Sequence, residues 1–132
     1  MRTNHVFIAV ISLTTIGIDP ATAADAVAQT AAEIKAAVVG NTDCGVNATN
    51  VDTCIYFKPD GGLSAKSGIY ASTGKYDIKK DGTLCLNWDN RYWKSNCTKR
   101  YEQASGEIDA IDNGGQVQFK VTQHLQGNPK HL

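Results

Sequence analysis

The sequence predicts a mainly β fold: a small antiparallel up-and-down β-barrel, or a two-sheet sandwich, of about seven or eight strands with one N-terminal helix. Three observations lead there. From Gly40 onward, short apolar runs alternate with Gly, Asn and Asp turns at intervals of about 8–12 residues, the rhythm of an all-β domain. Helical periodicity is confined to one stretch near the N-terminus. Four cysteines occur in 132 residues, a density that suits a small domain reinforced by disulfides.

The start of the chain reads as a leader. Met1 to His5 carries Arg2, Val6 to Ile18 is mainly apolar, and Pro20 precedes Ala21-Thr22-Ala23. A basic segment, an apolar segment and an A-x-A site make residues 1–23 a signal peptide cleaved after Ala23. The apolar run is shorter than the roughly 20 residues of a membrane helix, so no membrane span is expected. The expected location is outside the cytoplasm, periplasmic or secreted. All four cysteines lie beyond the cleavage site, and an even count in an exported chain favours disulfides over free thiols or metal ligands. The formal net charge is zero, and Arg2 and Asp19 leave together. Such a chain has no basic field for nucleic acid, which is not an expected partner.

Residues 24–39 are the helix candidate, with Val27, Ala31, Ile34 and Val38 on one apolar stripe and Gly40 as the stop. Residues 40–125 are assigned to the β domain and 126–132 to a flexible polar tail. Asn41 to Val46 is a weak strand and Thr53 to Lys58 a strong one. Leu63 to Tyr70 is small and mixed, and Gly74 to Lys79 sets Tyr76 and Ile78 on one face. Lys80-Asp81-Gly82 is a turn. Glu107 to Ile111 forms a short strand. Val117, Phe119 and Val121 alternate with polar residues in the last one.

Between them lies Thr83 to Glu102, which holds both tryptophans and two of the cysteines. Leu84, Leu86 and Trp88 alternate with Cys85, Asn87 and Asp89, the mark of a strand with one buried face. If Cys85 faces Cys97, the opposite pairs run 86/96, 87/95, 88/94 and 89/93. The turn is then Asn90-Arg91-Tyr92. Directly opposed strand positions approach the Cβ separation that a disulfide needs. Cys44 and Cys54 bracket the polar loop Asn47 to Asn50. Four cysteines allow three connectivities, and the spacing does not select one.

No catalytic constellation is visible. All four cysteines can pair, and no nucleophile elbow, phosphate loop or dinucleotide fingerprint occurs. The expectation is therefore a protein that is not an enzyme and has no cofactor. His124 and His131 read as exposed histidines of the polar tail, at a spacing that matches no common metal site. Glu107 and Asp109 fall on the solvated side of a strand whose buried side carries Ile108. Asp60, Asp81 and Asp112 have turn roles. The aromatic residues are the lead. Tyr56, Tyr76, Trp88 and Phe119, if inward, line an apolar ligand cavity or simply fill the core. Arg91, Tyr92 and Trp93, at the hairpin tip, are candidate contacts for a protein partner.

Several segments together carry a resemblance. Glu33-Ile34-Lys35 leads into Gly40-Asn41-Thr42, and Tyr56-Phe57-Lys58-Pro59-Asp60-Gly61 and Gly74-Lys75-Tyr76 follow. Asp81-Gly82-Thr83-Leu84-Cys85 comes next, with Trp88 and Cys97 beyond it. The set resembles a group of small exported bacterial proteins of unknown function. It spans nearly the whole chain after the leader, through turns, core positions and one cysteine pair; Cys44 and Cys54 depart from that pattern. The resemblance implies a compact β fold and no reaction. In size, export and cysteines the chain also resembles calycin-like exported barrels that inhibit proteases or lysozyme. The expected function is that of a non-enzymatic exported β-barrel that binds a small apolar ligand or a protein partner. The alternative is a periplasmic or secreted inhibitor or adaptor of a hydrolase.

Overall fold

The computed structural model describes residues 26–132; the leader assigned to 1–23 lies outside the described residues. A helix, α1 (Ala31–Val38), precedes eight strands: β1 (Asn41–Asn47), β2 (Asp52–Phe57), β3 (Gly62–Ser67), β4 (Tyr70–Ile78), β5 (Leu84–Trp88), β6 (Asn96–Glu102), β7 (Ile108–Ile111) and β8 (Val117–Gln126). Each strand pairs antiparallel with its sequence neighbours, and β8 pairs with β1 to close a barrel. A sandwich is thereby excluded. Closure leaves no strand edge unpaired, which matters in a domain too small to cover edges otherwise.

Alternation sets the two faces. Thr53, Ile55 and Phe57 of β2, Leu63 and Ala65 of β3, and Ile108 and Ala110 of β7 are buried, while their neighbours face outward. Both disulfides form on the outer face between directly opposed residues, Cys44–Cys54 across β1/β2 and Cys85–Cys97 across β5/β6. Their Cα atoms are 4.1 and 4.0 Å apart, the close spacing of a non-hydrogen-bonded antiparallel pair.

The helix is shorter than the stretch 24–39. Thr30 Oγ1 accepts the Glu33 N–H and Glu33 Oε1 accepts the Thr30 N–H, each at 3.2 Å. This capping box fixes the first helical residue at Ala31. The chain before it is extended: Ala28 bridges Tyr101, and the Gln29 N–H donates to the Arg100 carbonyl at 2.8 Å. Val27 is therefore exposed rather than part of the apolar stripe. Gly40, at φ +77°, ends the helix in the left-handed conformation that favours glycine. Ile34 and Val38 are fully buried and join Phe57 and Leu63 in the core. The helix thus closes one end of the barrel.

Three further expectations are corrected. The 85/97 and 86/96 pairs exist, but the ladder stops there, and a loop over 89–95 replaces the tight three-residue turn. The Trp88 N–H donates to Ser95 Oγ instead of to a facing carbonyl. The segment after 126 is tied down: Thr42 Oγ1 donates to the Gly127 carbonyl at 2.7 Å and the Gly127 N–H donates to Asn41 Oδ1 at 3.1 Å. Strand β8 runs through His124, which is no tail residue. Its polar texture, Thr122 to Gln126, reflects the exposure of most of these side chains.

The β1/β8 ladder shifts between Cys44 and Gly45, where β8 bulges by one residue, Thr122. A Cβ at Gly45 would overlap the Lys120 carbonyl, so the backbones approach there as only glycine permits. The β7–β8 turn is organised by Asp112, whose Oδ1 accepts the Gly114 and Gln116 N–H groups, both at 2.9 Å. The bond from Gln116, with those from Gln118 and Gly114, holds this carboxyl below its ordinary range. Among the described residues no helix is long and apolar enough to cross a membrane.

Candidate functional site: a cavity in the open end of the barrel

The helix plugs one end of the barrel, and no residue of α1 reaches the other. There a cavity of about 670 Å³ opens between the β1–β2, β3–β4 and β5–β6 loops. Its apolar wall comes from inward positions of four strands: Ile55 and Phe57, Leu84, Leu86 and Trp88, Ala110, and Phe119. The volume lies in the range of small-molecule sites, and an apolar wall with a few polar groups is their usual composition. Thr53, Ser67, Asn96, Thr98, Arg100 and Gln118 supply the polar part.

The four aromatic residues expected at a cavity divide. Trp88 and Phe119 line it. Tyr56 faces outward, because inward parity on β2 belongs to Ile55 and Phe57. Tyr76 points in, but at the plugged end: its ring meets Phe57 edge-on at 5.2 Å and its hydroxyl donates to the Lys58 carbonyl at 2.6 Å. Burial first, and then the Asp60 carboxylate, push the Tyr76 hydroxyl up from its ordinary pKa.

The hairpin-tip residues divide too. Tyr92 is 80% exposed, and the Arg91 guanidinium stacks over its ring at 4.8 Å and donates to its hydroxyl at 2.7 Å. Trp93 is not at an exposed tip. It folds back onto Trp88, edge to face at 4.9 Å, and joins the cavity wall. The longer loop makes this return reachable. Ile69 and Tyr70, at the β3–β4 turn, are 86% and 66% exposed at the same mouth.

Two residues that sequence reasoning passed over sit inside. Asp43 of β1 and Arg100 of β6 are fully buried or nearly so, at 0% and 1% exposure. Asp43 Oδ2 and Arg100 Nη2 are 2.9 Å apart. The approach is an ion pair not aligned as a hydrogen bond, so Asp43 Oδ2 and Arg100 Nη2 face each other without one, and Arg100 Nε has no acceptor among the described residues. The other Asp43 oxygen is 2.7 Å from Nδ1 of His124, whose side chain is 40% exposed. A carboxylate only accepts, so Nδ1 is the donor in this contact. The signal was parity. With Cys44 and Cys97 on the outer face, Asp43, one residue from Cys44, and Arg100, three from Cys97, must point in. Opposite charges at two inward positions mark a buried pair.

Among the described residues, no group of three or more His, Cys, Asp or Glu side chains could hold a metal ion. Glu107 and Asp109 are partly exposed, and Asp109 lies 4.0 Å from Lys120 on the neighbouring strand. No protein-family model matches the chain, and no curated protein matches it.

Proposed function

We propose that this small disulfide-bonded barrel is an exported, non-enzymatic protein that binds a small apolar or amphipathic ligand in its open end. The observation that carries the reading is the cavity itself: about 670 Å³ with an apolar wall, inside a barrel closed at its other end. A barrel this small usually fills its interior with side chains. Here Arg100, Thr98 and Asn96 occupy inward positions of one strand, and no large apolar side chain projects from β6 to fill the space. The two disulfides favour an oxidising compartment, in keeping with the leader read at 1–23.

Trp88 and Trp93 are the chain's tryptophans and both line the cavity, so their fluorescence reports its contents. Titration with a panel of apolar and amphipathic compounds is expected to shift or quench that emission with saturation. Replacing Ala110 by Leu puts extra bulk into the cavity and is expected to weaken binding by about tenfold, with a stability change within about 1–3 kcal/mol. Native mass spectrometry of the oxidised protein is expected to retain a small bound mass. Emission indifferent to the whole panel would remove the reading.

A second reading is favoured by the exposed rim of Ile69, Tyr70 and Tyr92. In it the mouth is the contact surface of an inhibitor or adaptor of a secreted or periplasmic hydrolase, with Arg91 and Tyr92 as anchors. Its signature is a hydrolase complex that Tyr92→Ala weakens.

A further inference from the structure

We infer that the ligand is an amphiphile with an anionic head group, a carboxylate by preference, seated head-down on Arg100. The inference rests on the ligand-binding reading above and specifies its chemistry. Inward positions on β6 run Asn96, Thr98, Arg100 from the mouth, since Asn96 opens the strand beside the 89–95 loop. The four-residue step from Asn96 to Arg100 is on the order of 13 Å at strand rise. Arg100 therefore lies at the inner end of an apolar channel walled by Leu86, Leu84, Phe119 and Phe57. An apolar tail fits the wall only with the head at one end or the other. Lys94 lines the mouth, where its ammonium is exposed and solvated, whereas the Arg100 charge at the inner end is buried and gains more from an anionic partner.

The guanidinium is under-used. It is a planar fork of five N–H donors, yet among the described residues its one charged neighbour is Asp43, in an approach not aligned as a hydrogen bond. Among the described residues Nε is buried with no acceptor at all, and Nη2 has only Asp43 Oδ2, 2.9 Å away and out of line. A buried charged donor without an acceptor is costly, so the site calls for one. Asp43 fills only part of the role: its Oδ2 lies beside Nη2 and its Oδ1 is 2.7 Å from His124 Nδ1, so neither oxygen serves Nε. A carboxylate matches the guanidinium fork with two parallel bonds, and such charge-assisted pairs are the strong ones. Thr98, one inward step nearer the mouth, is also on the cavity wall and adds a hydroxyl to it. An uncharged head group, such as an alcohol, would supply one weak acceptor.

Decanoate and decan-1-ol separate the alternatives, since they share a tail and differ at the head. Calorimetric titration of the oxidised protein is expected to give decanoate about tenfold or more over decanol. Arg100→Gln alone would leave Asp43 an unpaired buried carboxylate, so the pair is removed together as Asp43→Asn/Arg100→Gln. That variant is expected to bind the two ligands alike, at the wild-type affinity for decanol. A measurement that needs no variant runs beside it: the Arg100 Nε–H resonance of the wild-type protein is expected to shift, and its exchange to slow, with decanoate and not with decanol. Equal affinities in the wild type overturn the head-group inference and leave the cavity reading standing. A preference for decanoate that survives in the double variant, or an Arg100 resonance blind to decanoate, overturns the assignment to Arg100. If neither compound nor any other amphiphile enters, the cavity reading itself fails.

Discussion

Asp43→Ala is expected to destabilise the folded protein by about 3–5 kcal/mol, the usual cost of removing one partner from a buried ion pair. Asp43 is fully buried and is the partner of both Arg100, 2.9 Å away, and His124, 2.7 Å away. Without it the Arg100 charge stays in the barrel, 1% exposed and facing no counter-charge. His124 loses its acceptor as well, though its exposure lets water replace part of that loss. A domain of this size has a net stability of about 5–15 kcal/mol, so the single substitution removes a large share of it. The paired change Asp43→Asn/Arg100→Gln removes both charges together and is expected to cost much less. Urea denaturation of the two variants and the wild type makes the comparison, with the midpoint as the readout. A loss under about 1 kcal/mol for Asp43→Ala would mean that the pair is not held dry.

Reduction of both disulfides is the second large effect. Each bridge closes a short loop, with sequence separations of 10 and 12 residues. By the loop-entropy relation each contributes about 2.5–3 kcal/mol, through a less disordered unfolded chain. Their placement makes the contributions independent. One ties β1 to β2 beside the bulge where β1 meets β8, and the other ties β5 to β6 on a different part of the sheet. Losing both is expected to cost about 5–6 kcal/mol and to leave the barrel marginal. Thermal unfolding with and without reductant tests this; Cys85→Ala/Cys97→Ala and Cys44→Ala/Cys54→Ala separate the shares. An unmoved midpoint would mean that barrel closure alone carries the fold. The first pair has a further consequence. The β5–β6 ladder holds only the pairs 84/98, 85/97 and 86/96, so the bridge sits at its centre. Its loss is expected to loosen the Trp88–Trp93 wall of the cavity before the plugged end.

Much of this molecule is local and was readable in the residues. Period-2 alternation in Thr53 to Phe57, in Leu84 to Trp88 and in Phe119 to Val121 sets strand and face together, because a side chain's side follows from its parity. Val117, expected on the same face, is exposed because β8 bulges at Gln118. Glycine-bearing turns set where strands end, and sequential hairpins follow from connections too short for crossovers. Cys85 opposite Cys97 is compatible with the same parity, but the pairing itself was one of three connectivities until the register decided it. The start of the helix was readable as well, in Thr30 and Glu33, a local capping box that the alanine-rich texture before it obscured.

What only the tertiary structure decided is what happens inside. Tyr56 and Tyr76 are both aromatic and both in strands, yet one faces out and the other packs at the plugged end. That depends on register and on which end the helix occupies, neither of which a strand's own pattern contains. Trp93 reaches Trp88 because the ladder stops at 86/96 and frees the loop to fold back. Asp43 and Arg100 meet only because β8 closes onto β1 and brings the first and sixth strands around one lumen. A lumen is the space left when eight inward faces and one helix have been summed. No single segment states its volume, its open end or the charge at its floor, and those three properties are the ones that bear on function.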